Sequence, residues 1–219
     1  MKPTCIIIAG PMCAGKTTTA KILVKRLQNT LYHPEINQYT LMGKKHVGGA
    51  FVGSRLEKKI NKANLERLRK ITSDSQDLMH FIETDIFHCV FAKFLGKDID
   101  ADFYKKEYIK LYQKANVGLL FINTKPQISW ARRRGHYLKR VLKTIKSQGL
   151  EGVRAKDLRK EMMVKYKKRI FDLYPLWLEM YDKLSYPKIK VLNNGKSLRI
   201  FEKKVIVGFL KLTKKMSVQ

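Results

Sequence analysis

Eight residues near the N-terminus, Gly10, Pro11, Met12, Cys13, Ala14, Gly15, Lys16 and Thr17, have the form G-x-x-x-x-G-K-[ST], the Walker A pattern. The chemistry that such types and spacing serve is a grip on the phosphates of ATP or GTP. Glycine permits a tight turn whose backbone N–H groups face the phosphates. A helix beginning at the lysine would aim its positive end at the same place. Lys16 would reach the β- and γ-phosphates, Thr17 would hold Mg²⁺ through its hydroxyl, and Thr18 extends the contacting set. Cys13 lies inside the loop, which predicts a thiol that reagents modify and that bound nucleotide shields.

A second group of residues invites a role beside this loop. In "MHFIETDIFH" (79–88) an apolar run stops at Glu83 and Asp85, with Thr84 between them. Acids are depleted from strand interiors, and an extended chain would put both on one face. One could hold Mg²⁺ and the other could take a proton from a substrate hydroxyl. Glu83 is the better metal candidate. Asp85 is either the base or the N-cap of the helix that follows. Glu35, in "YHPEIN", is a further candidate base or an exposed loop acid. Arg132, Arg133 and Arg134 could neutralise charge on a transferring phosphoryl group, and adjacent helix positions diverge so that one or two at most can do so. Asn193, with Asn194, could contact adenine or could form a turn in "LNNGKS".

The elements that must position these residues follow from periodicity. "TCIIIAG" (4–10) reads as a buried parallel strand and the stretch from Lys16 as an amphipathic helix with Ala20, Leu23, Val24 and Leu27 inward. Further strands are expected at 31–36, where Pro34 breaks the run, and at 78–83, 117–123 and 188–194. Residues 38–53 are Gly-rich and read as a loop. Helices are expected over 54–76, 87–96, 100–115, 126–149, 154–184 with a kink or restart near Pro175, and 197–215. Alternating strands and helices predict an α/β fold with a parallel sheet.

Bulk properties bound the reading. The 219 residues suit one domain. There are 46 Lys+Arg against 18 Asp+Glu, a net charge of +28, which favours contact with polyanions and so raises nucleic acid as a partner. Against that, 34 of the basic residues are Lys and they spread along the whole chain, whereas bidentate phosphate recognition favours Arg. Three cysteines without metal spacing fit a reducing, cytoplasmic setting, and no stretch is long and apolar enough for a membrane span. A homodimer is the working expectation for assembly.

On the Walker A loop, the short chain without a separate hydrolase domain and the Arg cluster after the fourth strand, the protein resembles P-loop kinases of the nucleoside and nucleoside-monophosphate kinase superfamily. "FIETDIF" is similar to the Asp-Thr-Asp strand end of bacterial nicotinamide riboside kinases, and "PQISWARRRG" falls where that family places a Pro, a Trp and its lid. Deoxyribonucleoside kinases carry Glu-Arg-Ser there and thymidylate kinases Asp-Arg-Tyr, so Thr84 departs from both. The segment from Ile36 to Gly53 matches none of these families. The resemblance implies a three-layer P-loop NTPase fold, a five-stranded parallel sheet in the order 2-3-1-4-5, and one kinase domain over 1–219 with a helical lid at about 126–150. It also implies ATP and Mg²⁺ as cofactors and a small nucleoside-like or nucleotide acceptor. Two alternatives use the same donor site: a polynucleotide 5′-hydroxyl kinase or other end-processing enzyme, which would account for the charge, and a non-catalytic nucleotide-binding switch.

Overall fold

In the computed structural model, described over residues 2–36, 41, 54–74, 77–96, 100–195 and 197–218, five parallel strands form the middle of three layers. They are β1 (Thr4–Ala9), β2 (Thr30–His33), β3 (Met79–Glu83), β4 (Asn116–Asn123) and β5 (Lys188–Leu192), in the order β2-β3-β1-β4-β5. The expected sheet order is therefore observed. The loop expected over 38–53 lies outside the described residues apart from position 41.

The alternation of β1 explains the layers. Cys5, Ile7 and Ala9 enter one apolar cluster, while Ile6 and Ile8 enter the other, as a period of two requires. On one face lie α1 (Lys16–Arg26) and α7 (Leu198–Met216), through Ala20, Leu23, Val205, Phe209 and Leu212. On the other lie α2 (Ser54–Thr72), α3 (His88–Leu95), α4 (Ala101–Tyr112) and α6 (Gly152–Lys183), through Leu68, Val90, Tyr108 and Trp177. Helix α5 (Pro126–Ser147) follows β4 and packs along α6, where Tyr137 stacks on Tyr166 with ring centroids 4.2 Å apart.

Three local readings are corrected. Strand β2 ends at His33, because Pro34 cannot donate to the ladder. Strand β5 stops at Leu192, so Asn193 and Asn194 leave the sheet. Helix α6 does not restart at Pro175 but continues through it; the proline removes one donor, and Leu173 and Trp177 on either side are buried and pin the helix to the core.

Candidate active site

The register β1–β3 sets Ile8 opposite Glu83, so the loop after β1 and the acidic end of β3 leave the sheet side by side. Gly10 takes φ 144°, and a Cβ there would lie 2.2 Å from the Ile122 carbonyl oxygen, so only glycine fits the turn. Gly15, at φ 101°, closes the loop and caps α1. Lys16 is nearly buried, and its Nζ donates to the carbonyls of Gly10 (3.2 Å) and Pro11 (3.4 Å), inside the curl of the loop. The same ammonium stands 5.5 Å above the Trp177 ring.

Thr17 Oγ1 lies 3.0 Å from both oxygens of Glu83. The Tyr32 hydroxyl, arriving from β2, also donates to Glu83. Burial and the Glu83 carboxylate together push the Tyr32 phenol up, so it stays a donor. A hydroxyl and a carboxylate converging this closely suit Mg²⁺, which keeps several waters and takes few protein ligands beside substrate phosphates. The pair expected to hold the metal is thus brought together.

Asp85 is placed elsewhere than period two predicts. Thr84 and Asp85 adopt φ 71° and 31°, which ends the extended chain and turns Asp85 inward. Its carboxylate is fully buried, accepts from Tyr112 Oη (2.5 Å) and Arg67 Nη2 (3.2 Å), and lies outside the cleft lining. Burial pushes the carboxyl up, while the Arg67 guanidinium and the Tyr112 hydroxyl pull it down. Nor does its side chain cap a helix: the turn Asp85–Phe87 and α3 have no side-chain cap bond.

A cleft of about 430 Å³ opens in front of the loop, and Lys16, Thr17, Glu83, Arg133 and Arg169 line it together with Glu35, Glu57, His88 and Phe91. Glu35 therefore faces the same space as the Walker A loop.

The three arginines separate. Arg133 lines the cleft, 4.0 Å from Cys13 Sγ and over the Tyr137 ring. Arg132 donates to the Cys13 carbonyl (2.7 Å) and to Asn193 Oδ1 (3.1 Å), bracing the loop from behind. Arg134 faces the outer groove between α5 and α6. Asn193 is occupied too: its amide donates to the Ala14 carbonyl (2.7 Å) and its oxygen accepts from Gly195 N, so it holds the loop's shape.

Sequence reasoning passed over Glu57, His88, Arg169 and Trp177. Each sits in a helix where periodicity reads it as core or as part of a charged face, Glu57 being an acid in the first turn of α2. No local spacing marks residues that meet only through the packing of α2, α3 and α6.

No protein-family model matches the chain, and no curated protein matches it. Among solved structures, it is similar to a deoxyadenosine kinase from M. mycoides with the products dCMP and a flexible dCDP bound. The TM-score is 0.53 at 14% identity, over 96% of this chain and 100% of that one. The same kinase with bound dATP gives a TM-score of 0.48 at 15% identity, over 94% and 99% of the two chains. The first likeness shows a shared α/β fold.

Proposed function

We propose that the protein is an ATP-dependent phosphotransferase that moves the γ-phosphoryl group to a hydroxyl of a small nucleoside-like acceptor. The observation that carries this reading is that Lys16, Thr17 and Glu83 open onto one cleft with Glu35. Lys16 and the loop amides would bind the β- and γ-phosphates. Thr17 and Glu83 would hold Mg²⁺, which when bound neutralises phosphate charge. Glu35 takes the acceptor proton as the acceptor oxygen bonds to the γ-phosphorus. The bond from that phosphorus to the β–γ bridging oxygen breaks, and its electron pair leaves on ADP. Arg133 and Arg169 line the cleft where charge builds on the phosphoryl oxygens.

Besides Glu83, the cleft carries two further carboxylates, Glu35 and Glu57, and one histidine, His88. Carboxylates repel a phosphate dianion, so a neutral, hydroxyl-bearing acceptor fits better than a nucleoside monophosphate. The likeness of "FIETDIF" to nicotinamide riboside kinases makes a riboside one candidate beside the deoxyribonucleosides. In this reading 1–219 form one kinase domain, and α5 with the turn after it, about 126–150, acts as the lid that brings Arg133 over the phosphates. Cys5, Cys13 and Cys89 are free thiols, as a cytoplasmic setting allows. No described helix is long and apolar enough to cross a membrane.

The test is transfer of γ-labelled phosphate from ATP to a panel of nucleosides, nucleotides, sugars and 5′-hydroxyl oligonucleotides. Lys16→Ala should abolish transfer and leave the circular-dichroism spectrum unchanged. Undiminished transfer by that variant would remove the assignment. A second reading, a polynucleotide 5′-hydroxyl kinase, is favoured by one feature: a groove of about 540 Å³ between α5 and α6, lined by Trp130, Arg134, Lys156, Arg159, Lys160 and Lys167 and by no described acid. It predicts oligonucleotide binding that weakens steeply with salt and competes with turnover. Binding that is absent or salt-insensitive excludes it.

A further inference from the structure

His88 lies between Glu57 and Glu35 in the cleft. It is the first residue of α3, with a side chain only 4% exposed. Its Nδ1 is 3.2 Å from Oε1 of Glu57, which comes from α2 and is 3% exposed. Its Nε2 is 3.5 Å from Oε1 of Glu35, which comes from the segment after β2. The Phe91 ring lies against the imidazole at 5.6 Å, which fixes the ring plane so that the two nitrogens point to opposite sides. Without a cation between them, two carboxylates facing one cleft repel each other, and Glu35, with a side chain 25% exposed against 3% for Glu57, is the one nearer solvent.

We propose that His88 is a positioning residue: as a cation bridging Glu57 and Glu35, it holds the Glu35 carboxylate at the acceptor hydroxyl. Glu57 anchors the imidazolium from the protein interior, and the imidazolium anchors Glu35 at the cleft. His88 gives up no proton during transfer; the acceptor proton goes to Glu35.

The charges around His88 agree with this role. Burial alone lowers the histidine's proton affinity, but the bond and charge of Glu57, the charge of Glu35 and that of Asp85 in the preceding turn together raise it. Asp85 is itself engaged by Arg67 from α2. Lys16 and Arg169 face the same cleft from α1 and α6. The raised proton affinity favours the charged bridge, which is lost on the alkaline side as His88 gives up its proton.

The inference rests on the proposed kinase activity, and the experiment separates the two. γ-Labelled ATP is supplied with a mixture of the four deoxyribonucleosides and nicotinamide riboside. His88→Gln should lower kcat by about 10- to 100-fold, the scale of a misplaced reacting group, with little change in KM for ATP. It should also erase the alkaline fall in kcat/KM. His88→Lys keeps a charge there, and should recover part of kcat and move the fall to higher pH. Histidine-labelled NMR of the unmodified protein provides a readout without turnover: His88 should show both ring nitrogens protonated at pH 7. A neutral His88 at pH 7 overturns the inference, as does His88→Gln with wild-type kcat and an unchanged alkaline limb. If His88→Gln does not fold, the NMR result decides. If the unmodified protein transfers phosphate to no acceptor, the kinase reading fails and the positioning role with it, while the NMR signal still reports whether the bridge exists.

Discussion

Replacing Asp85 by Asn distinguishes a structural carboxylate from a catalytic one. Two donors converge on it, the Tyr112 hydroxyl on Oδ2 and Arg67 Nη2 on Oδ1. An amide offers one acceptor oxygen, so one of these donors would meet an N–H instead. A buried donor left unmet costs about 1–3 kcal/mol, and removing one partner of a buried ion pair about 3–5 kcal/mol. Arg67 is 15% exposed, so a loss near the lower end, about 3 kcal/mol, is the expectation. For a chain of this length that corresponds to a melting temperature lower by about 6–12 °C. Tyr112→Phe removes one donor and leaves the pair intact, so it should cost only about 1 kcal/mol. Thermal unfolding followed by circular dichroism reads both. Because Arg67 also donates to the Pro34 carbonyl, next to Glu35, Asp85→Asn should weaken acceptor binding at low temperature without abolishing transfer. An unchanged melting temperature with transfer abolished would refute this reasoning and make Asp85 the proton acceptor.

Acid should destabilise the β2 edge. His33 Nε2 and His80 Nδ1 are 3.0 Å apart, and burial, then the neighbouring histidine and Arg67, lower His33 to about 4. The folded state therefore favours the neutral ring, so this contribution is complete above about pH 6.5 and is lost as pH falls towards 4. Denaturant midpoints should drop across that window, and His33→Gln should flatten the slope; an unaltered slope counts against the pair as its source. Arg133→Ala should reduce kcat by about 100-fold, the scale of losing one transition-state donor, whereas Arg134→Ala should stay within about twofold; equal effects would contradict the geometry that separates them. Cys13, half-buried at φ 57° beside Lys16, should be alkylated by a thiol reagent, and saturating ATP should block it, while the buried Cys5 and Cys89 stay unmodified in either case. Failure of ATP to protect would displace the nucleotide from this loop.

Much of the frame was legible because local rules sufficed. The Walker A spacing, a β-branched run before it and a helix pattern after it place that loop between β1 and α1. Near-continuous apolar runs in β1 and β4 mark strands covered on both faces, as the structure confirms with Ile6, Ile7, Leu119 and Leu120 fully buried. Glu83 was readable as the partner of Thr17 because a strand end needs only its register to be placed. Asp85 was not, because period two holds only while the backbone stays extended, and two positive φ angles intervene.

The sequence by itself determined the α/β class and the Walker A pattern between a strand and a helix. Those depend on residue type and on neighbours a few positions away. Tertiary structure alone decided which acids meet. Glu35, Glu57 and His88 come from separate elements, and their distances depend on how α2 and α3 pack against the sheet. It also decided which of three adjacent arginines faces the cleft, since about 100° per helical residue turns Arg132, Arg133 and Arg134 to different surroundings. Contacts between elements carry no signature of their own along the chain, so the meeting of Glu35, Glu57 and His88 became visible only in the fold.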